Sequence, residues 1–554
     1  MRMFGTFYRG FNEYFEKFRE GYRDLLAFCL RNTRKVVILF IGFACLSMCL
    51  VPWLGQDFFP VVDAGQFTLH VRTKSGTRIE EVARQVDQIE TAIRQEIPKE
   101  QLKGIIDNIG LPYSGINLTY SNSGVASAAD ADIIVSLDEK HDPTSKFVNK
   151  VRDRLHRDFP GITASFPPAD IMAQILNFGL PAPIDVQIIG ANQMANAVVA
   201  NRLAGQIRRV PGAVDVRVQQ PFDAPHINLN VDRTKASQLG ISMGQIADGV
   251  LGALSGSQQT SPNFWLDPKN GVSYQVNAQV PQYQIDSLDA IRNLPIVGST
   301  GAQPQIVGNL ATMARSAVSP IVTHYNIQPV VNIYAAVDGK DLGSVSTSVQ
   351  KLVDDARKGL PKGSRIEVLG QVRTMNDSFT GLFAGLIFAM LLVYLLMVVN
   401  FQSWVDPLII IAALPVALAG IVWMLFVTRT TLSVPALMGA IMCMGVGTAN
   451  SVLIVTFANE QLKKYRESFR AALQAGYARL RPVLMTAIAM IIGMVPMALG
   501  LGEGGEQNAP LGRAVIGGLL FATVATLFFV PTVFAAVCRN KFTPQASIVT
   551  QVTN

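Results

Sequence analysis

Six long apolar stretches stand out against the polar pattern of the chain, one near its start and five near its end. They cover residues 36–54, 379–400, 407–427, 432–457, 482–501 and 514–538, and within these bounds they contain no Lys, Arg, Asp or Glu. A helix of about 20 apolar residues is long enough to cross the hydrocarbon core of a bilayer. The pattern therefore predicts six transmembrane helices, with one large water-exposed region between the first and the second.

The water-exposed region contains two copies of the same order of predicted strands and helices. The strands show alternating apolar and polar residues, and the helices are amphipathic. Its first part predicts strand 66–72, helix 78–97, strands 102–109 and 132–137, helix 144–159 and strand 162–166, which is the β-α-β-β-α-β order of the split βαβ arrangement. A second copy begins with strand 184–189, helix 193–209 and strand 214–219, and ends with strand 330–337, helix 342–357 and strand 365–369. Residues 224–323, with strand-like pieces at 226–231 and 273–280, are predicted to form a domain inserted into this second copy.

The first 30 residues place aromatic and aliphatic side chains at intervals of three and four, with basic and acidic residues between them. This spacing predicts an amphipathic helix whose polar face is basic, suited to lying along the inner membrane surface. The alternative is an ordinary helix that packs on another subunit.

Composition and charge give the predicted spans an orientation. Hydrophobic residues make up 49% of the chain and charged residues only 16%, which is typical of a membrane protein with a large water-exposed region. Basic residues cluster in residues 2–35, 463–481 and 539–541. The short loops on the opposite side of the membrane contain only two, Arg429 and Arg513. By the positive-inside rule, both termini are predicted to be cytoplasmic and residues 56–377 to lie outside.

Candidate chemistry is sparse in the sequence. The five cysteines fall in spans or inner segments, so no disulfide framework is predicted for the outer region. The run GLGEGG at residues 500–505 follows a membrane span instead of a strand, which argues against a dinucleotide site. The five histidines have no ligand-like spacing. We therefore predict no cofactor, no metal site and no nucleic-acid partner.

Polar residues inside the fourth span are the main candidates for a functional site. Thr448, Asn450 and Ser451 lie in a patch of small residues within the run MGVGTANSVLIVTFANE. Polar side chains in a membrane need partners, so the patch either packs helices through hydrogen bonds or contacts an ion or proton route. Neither Asn nor Thr titrates near neutral pH, so a proton carrier has to come from elsewhere.

Four long runs resemble the resistance-nodulation-division (RND) superfamily, and within it the drug-exporting permeases of tripartite efflux pumps. The runs are FQSWVDPLIIIAALPVALAG (401–420), MGVGTANSVLIVTFANE (444–460), RLRPVLMTAIAMIIGMVPMALG (479–500) and GGLLFATVATLFFVPTVFA (517–535). The resemblance covers nearly the whole chain in order. Such permeases carry two homologous halves, and this chain resembles the C-terminal half only, which implies an internal start, a split gene or a truncation.

The resemblance implies an α+β membrane protein, with a six-helix transmembrane bundle and a periplasmic region of two ferredoxin-like split βαβ subdomains and an inserted docking domain. The implied domains are a cytoplasmic helix and linker (1–35), the first span (36–55), a first porter subdomain (56–182), a second porter subdomain in two parts (183–223 and 324–377), the docking insert (224–323), the remaining spans (378–538) and a cytoplasmic tail (539–554).

The resemblance also implies roles for individual residues. A proton relay of such permeases places acidic residues of the first half against a lysine of the second, and that lysine position falls on Ala449, beside the matching Asn450. Thr486 in LMTA matches the relay threonine, and Arg479 matches a basic residue at the inner end. Without the lysine, a facing carboxylate loses a buried cation that would lower its pKa, so coupling is expected to differ in detail.

The long loop 110–130 resembles a switch loop beside a substrate pocket, and loops of this length are usually functional or mobile. Its candidate pocket residues are Tyr113, Ser114, Asn117 and Tyr120. Drug pumps tend to place several phenylalanines there, so the tyrosines and serines of this chain make a typical hydrophobic-drug pocket doubtful.

The implied function is proton-driven export of small amphiphilic compounds or drugs across the Gram-negative envelope, from the bacterial inner membrane. The implied partners are the N-terminal permease half, a homotrimer of complete permeases, a periplasmic adaptor (membrane fusion) protein, an outer-membrane channel and the lipid bilayer. Two alternatives stay open at this point: a heavy-metal-exporting relative, and a non-transporting membrane scaffold in case the chain acts alone.

Overall fold

The computed structural model describes residues 2–111, 125, 127–258, 260–298, 303–502 and 504–538 of the 554-residue chain, with side chains from residue 14 onward. Two compact units make up the chain. One consists of Pro221–Ile321, and the other of Met1–Gln220 together with Val322–Asn554. The smaller unit begins and ends within a few residues of the insert that the sequence predicts.

The chain begins with the long helix α1 (Arg2–Arg31), followed by α2 (Thr33–Met48) and a 3₁₀ turn at Val51–Trp53. Tyr22, Leu26 and Leu30 of α1 are buried in a cluster with the membrane helices of the same chain. The Tyr22 hydroxyl donates a hydrogen bond of 2.8 Å to the Leu527 carbonyl oxygen. One apolar flank of α1 thus packs on its own chain, an arrangement that neither sequence-based alternative included, while Phe18 and Phe28 stay more than half exposed.

The first sheet is built from two β-α-β halves. Its elements are β1 (Gln66–Arg72), α3 (Ile79–Glu96), β2 (Leu102–Ile109), β3 (Asp130–Leu137), α4 (Thr144–Asp158) and β4 (Thr163–Ser165). The strand order is β2-β3-β1-β4, and every pairing is antiparallel. Leu69 and Val71 of β1 are fully buried in one core with Ile89 of α3 and Phe147 of α4. Every second residue of a strand points to the same face of the sheet, and here that face is covered by the two helices. The short helix α5 (Ile171–Leu176) follows.

The second sheet starts with β5 (Ile184–Ile189), α6 (Gln193–Ile207) and β6 (Ala213–Val218), and the chain then enters the smaller unit. That unit comprises β7 (Ala224–Val231), α7 (Arg233–Gln238), α8 (Met243–Ser255), β8 (Asn263–Leu266), β9 (Ser273–Val276), α9 (Leu288–Arg292), β10 (Pro295–Ile296), β11 (Gln305–Ile306), α10 (Val307–Leu310) and β12 (Ala311–Val318). Its first strand, β7, pairs antiparallel with its last, β12, and Ile241, Ile246 and Ile296 form its core.

The second sheet is completed by β13 (Thr323–Tyr325), β14 (Gln328–Val337), α11 (Leu342–Arg357) and β15 (Arg365–Gly370). The order is β13-β14-β5-β15, and β6 also pairs with β14. The central strand β5 is buried along its whole length, including the carboxylate of Asp185. Asn332 and Gln187 donate hydrogen bonds to that carboxylate at 3.0 and 2.6 Å. These bonds offset part of the free-energy cost of burying the carboxylate.

The remaining chain forms helices with long apolar stretches. They are α12 (Gln371–Phe401), α13 (Val405–Ile411), α14 (Leu414–Val427), α15 (Val434–Tyr465), α16 (Ser468–Ala498), α17 (Ala509–Val524), a π-helical segment (Ala525–Phe529) and α18 (Val530–Val537). Among the described residues, six helical stretches are long and apolar enough to cross a membrane: Thr33–Trp53, Gln371–Phe401, Val405–Val427, Val434–Tyr465, Ser468–Ala498 and Ala509–Val537.

These helices extend beyond the uncharged apolar runs from which the spans were predicted. The helix α13 includes Asp406, α15 runs on past Glu460 to Tyr465, and α16 begins at Ser468 and contains Arg479. The added turns carry charged residues, so mean hydropathy alone did not reveal them. The predicted third span is divided into α13 and α14 just before Pro415, whose ring cannot donate a helical hydrogen bond.

Two connections join the second sheet to the membrane helices. In the first, α12 begins at Gln371 directly after β15 ends at Gly370, with no loop between them. In the second, the Asp57 N–H donates to the Leu432 carbonyl oxygen just before α15 (3.0 Å), and the Asp57 carboxylate accepts from the Leu342 N–H at the start of α11 (2.8 Å). The N-terminal end of α15 is therefore tied to the second sheet through the segment that contains Gln56 and Asp57.

Candidate functional site

The polar residues of α15 point into the helix bundle. Thr448, Asn450 and Ser451 are each at most 5% exposed. The Thr448 hydroxyl donates to the Met444 carbonyl oxygen at 2.8 Å, and the Ser451 hydroxyl donates to the Gly447 carbonyl oxygen at 2.9 Å. Such bonds to the preceding turn satisfy a hydroxyl in a helix where water is absent.

Asn450 meets Thr486, the residue that the resemblance implies as the relay threonine. The Thr486 hydroxyl of α16 donates to Asn450 Oδ1 at 3.1 Å and also lies 3.0 Å from the Val483 carbonyl oxygen of its own helix. Both residues lie near the middle of their helices. This contact is a direct polar bridge between α15 and α16 at the depth where a partner from water is not available.

A second polar bridge, which the sequence analysis missed, joins α15 to the π-helical segment. The Ser451 hydroxyl lies 3.2 Å from the Thr526 hydroxyl, and Thr526 is 1% exposed. Wide π turns inside membrane helices are frequent at functional sites. The only signal for this contact in the sequence is the threonine itself, within the apolar run FATVATLFF.

Ala449, at the predicted lysine position, takes part in neither of these bridges. It lies on an exposed stripe of α15 that we call the open stripe, formed by Met438, Met442, Gly445, Ala449 and Leu453. A Cβ added at Gly445 would meet no heavy atom within 4 Å. The described residues therefore leave this side of α15 uncovered, one residue away from the buried Asn450.

Polar groups also lie nearer the C-terminal end of α15, roughly 13 Å along this helix from Asn450. Asp406 is 6% exposed, and its Oδ2 accepts a hydrogen bond of 3.1 Å from Asn459, whereas its Oδ1 has no partner among the described residues. The Arg479 guanidinium lies 4.9 Å from the centroid of the Phe457 ring. Arg479 is thus not brought together with Asn450 and Thr486, and Asp406 is an acid that the sequence analysis placed just outside the span.

The switch-loop candidates Tyr113, Ser114, Asn117 and Tyr120 lie outside the described residues. The base of their loop is held by Asp130, whose carbonyl oxygen accepts from the Gly110 N–H at 2.8 Å and whose buried carboxylate accepts from the Arg72 guanidinium at 2.7 Å. Arg72 in turn donates to the Gln219 carbonyl oxygen, which ties the first sheet to the second at this point.

The chemistry of the central arrangement follows from its residue types. Asn450, Thr486, Ser451 and Thr526 accept and donate hydrogen bonds but carry no proton that titrates near neutral pH. They can respond to a charge that appears beside them, and a proton-binding group would have to be supplied from outside the arrangement. Among the described residues, no group of three or more His, Cys, Asp or Glu side chains is arranged to hold a metal ion.

Comparison with known proteins agrees with the resemblance. The sequence profile of the AcrB/AcrD/AcrF family matches residues 2–538. The cobalt-zinc-cadmium resistance protein CzcA of Cupriavidus metallidurans is 25% identical over 531 residues, which cover 94% of this chain and 49% of the relative. The multidrug resistance protein MdtC of Pectobacterium carotovorum is 23% identical over 528 residues, which cover 95% of this chain and 49% of the relative. The predicted similarity to RND permeases is confirmed, and the relatives are transporters, not enzymes.

A solved structure shows the same fold. The crystal structure of a heavy metal efflux pump superposes with a TM-score of 0.77 at 22% identity, covering 95% of this chain and 52% of that one. The chain spans about half the length of the curated relatives it matches.

Proposed function

Because the chain belongs to the AcrB/AcrD/AcrF family, we propose that it acts as the C-terminal half of a proton-driven export permease. The observation that carries this proposal is the 3.1 Å contact between Thr486 and Asn450, midway along two membrane helices and beside the open stripe. A polar contact at that depth can take part in transport, because its hydrogen bonds respond to a charge that appears next to it. The coverage of only half of each relative supports a partner half as the source of that charge.

In the proposed mechanism, the partner half places acidic side chains against the open stripe. When such a carboxylate gains or loses a proton, the hydrogen bonds that it makes with Asn450 and Thr486 change, and α15 and α16 shift relative to each other. The ties through Asp57 and through the α12–β15 junction carry this shift to the second sheet. Coupling of this kind is reciprocal, so substrate binding outside also alters proton affinity inside.

The substrate class is part of the proposal. The name of CzcA and the description of the structural neighbour point to metal cations, and the name of MdtC points to drugs. We place divalent metal cations first and the amphiphilic compounds that the sequence analysis predicted second. The order rests on the comparisons alone.

The proposal includes a cellular setting. Residues 1–35 and 539–554 lie on the cytoplasmic side of the bacterial inner membrane and residues 56–377 in the periplasm. The two sheets act as porter subdomains and the smaller unit as a docking region. A trimer of complete permeases, an adaptor protein and an outer-membrane channel complete the assembly. The surplus of basic residues on the short inner segments supports this orientation.

The test is export by the assembled pair. The chain is expressed together with an N-terminal permease half, in bacteria that lack their own exporters, and growth is measured against Co²⁺, Zn²⁺, Cd²⁺ and amphiphilic dyes. Resistance to the metals in the pair, absent for each half alone, supports the first substrate class, and resistance to dyes supports the second. Unchanged sensitivity to both classes, with both halves present in the membrane, would contradict the export proposal.

A further inference from the structure

A cavity of about 540 Å³ lies between α1, α16 and the end of α17, away from the polar bridges. Its lining includes Gly21, Tyr22, Leu484, Ile488, Thr523 and Leu527. The two hydroxyls in this set are already used, because Tyr22 donates to the Leu527 carbonyl oxygen at 2.8 Å and Thr523 donates to the Leu519 carbonyl oxygen at 2.6 Å. The walls therefore suit a hydrocarbon occupant and offer little to a polar one.

The length of the cavity matches half a bilayer. On α16 its lining runs from Leu480 to Ile491, which at 1.5 Å per residue is roughly 16 Å. The hydrocarbon core of a bilayer is about 30 Å thick, so one leaflet supplies about 15 Å. Arg481 lies at the end of this stretch that leads to the inner segment of the chain, so the cavity extends from the inner membrane surface toward the middle of the bilayer.

Basic side chains lie at the contact between α1 and α16. The Arg19 guanidinium lies 3.8 Å from the centroid of the Tyr477 ring, and the Arg481 guanidinium lies 5.3 Å from that of Phe15, so both are held at this contact. Lys17 is exposed and precedes Gly21 by about one helical turn, so it lies on the cavity side of α1. Its ammonium group can meet an anionic headgroup at the membrane surface.

We propose that this cavity binds one acyl chain of an anionic phospholipid from the inner leaflet, with the headgroup at Lys17. The cavity wall on α16 is turned away from the polar bridge, because Thr486 and Ile488 are two residues, about 200°, apart around that helix. A partner half at the open stripe therefore leaves the cavity to lipid. The bound chain fills the gap between α1 and the bundle and fixes α1 against α16.

Glycine substitutions provide a matched pair of variants. A Cβ added at Gly21 meets no heavy atom within 4 Å, and the same holds for Gly42 on α2. A leucine at either position is compatible with its helix, since Gly is the poorer helix former by roughly 1 kcal/mol. Gly21→Leu places its side chain in the cavity, whereas Gly42→Leu adds the same apolar group elsewhere on the membrane-facing surface.

The measurement is native mass spectrometry of the chain after reconstitution in vesicles of equal parts phosphatidylglycerol and phosphatidylethanolamine. We expect wild type and Gly42→Leu to retain one phosphatidylglycerol, and Gly21→Leu to retain at least about tenfold less, which corresponds to 1.4 kcal/mol. Lys17→Gln is expected to retain a lipid but lose the preference for phosphatidylglycerol. Equal retention by Gly21→Leu and wild type would overturn the proposal, as would equal retention of the two lipids by wild type.

The same measurement on the chain assembled with its partner half separates lipid from protein as the occupant. Retention of phosphatidylglycerol by the pair supports the lipid site. Its loss on assembly would mean that protein covers the cavity and would overturn the proposal, whatever the outcome of the export assay.

Discussion

Single hydroxyl and amide groups define the centre of this molecule. Asn450 and Ser451 each bridge α15 to a different neighbour, through Thr486 and Thr526, although they are adjacent in the sequence. Adjacent positions on a helix are turned about 100° apart, so one turn of α15 holds both neighbours. A disturbance at Asn450 is therefore expected to reach α16 and the π-helical segment together.

Removing the Thr486 hydroxyl tests its role in coupling. Thr486→Val keeps the shape of the side chain but leaves Asn450 Oδ1 without its donor, and we expect export by the assembled pair to fall at least about tenfold, equivalent to 1.4 kcal/mol. Thr486→Ser is expected to restore it. The control is Thr532→Val, because the Thr532 hydroxyl donates to the Phe528 carbonyl oxygen of the preceding turn. Export rates equal in Thr486→Val and wild type would refute the assigned role.

Asp185 gives the second sheet a pH-dependent stability. Burial raises its pKa from 3.8 to about 6, against the hydrogen bonds from Gln187 and Asn332 that favour the charged form. The folded state thus holds a proton that the unfolded state has lost between those pH values. The stability from this group is present below pH 3.8 and is lost as the pH rises through 6, by about 3 kcal/mol.

The change in melting temperature between pH 4 and pH 7 measures this effect. We expect Asp185→Asn to flatten the pH dependence relative to wild type, whatever its absolute stability. Asp355→Asn, at a carboxylate whose side chain is 75% exposed, serves as control and should leave the dependence unchanged. The same pH dependence in Asp185→Asn and wild type would show that another group is responsible.

At the scale of elements, the second sheet and α15 are joined through the start of α11. The Asp341 carboxylate accepts from the Ser344 N–H at 2.8 Å, which caps α11, and from the Gln56 N–H at 2.9 Å. Gln56 lies in the segment that follows α2, and this segment pairs with Leu432 just before α15. One carboxylate therefore serves both as a helix cap and as a link to the membrane helices.

Asp341→Ala is predicted to remove both functions. Loss of the cap lowers stability by about 1 kcal/mol, and loss of the link lowers export further. Asp232→Ala is the matched control, since Asp232 caps α7 through the Lys235 N–H at 3.0 Å within the smaller unit. We expect similar losses in unfolding free energy but reduced export only in Asp341→Ala. Equal export in the two variants would argue against transmission through this link.

Periodicity predicted the elements whose burial is regular. Strands such as β1 and β5 and the helix α11 follow the predicted bounds, because each packs its apolar residues into a core. The start of α16 at Ser468 and the π-helical segment were not predicted. The first is polar and lies beyond the apolar run, and the second depends on hydrogen-bond geometry that composition does not specify. The Ser451–Thr526 contact was missed for the same reason.

At the scale of the whole molecule, we propose that the open stripe is the surface on which the partner half packs. Gly445 lies in this stripe, and a Cβ added to it would meet no heavy atom within 4 Å. We predict that Gly445→Leu blocks close approach of a partner helix and lowers co-purification with the other half several-fold. Gly381→Leu on α12, where a Cβ is equally free of contacts, is the control. Undiminished co-purification of Gly445→Leu would place the interface elsewhere.

The central claim is that this chain exports substrate only as half of a proton-driven pair. The most direct measurement is uptake of Zn²⁺ or an amphiphilic dye into inverted membrane vesicles that contain the chain with and without its partner half, under an imposed pH gradient. The account predicts gradient-dependent uptake by the pair, none by the chain alone, and loss of uptake in Thr486→Val. Gradient-dependent uptake by the chain alone, or uptake by the pair that ignores the gradient, would contradict it.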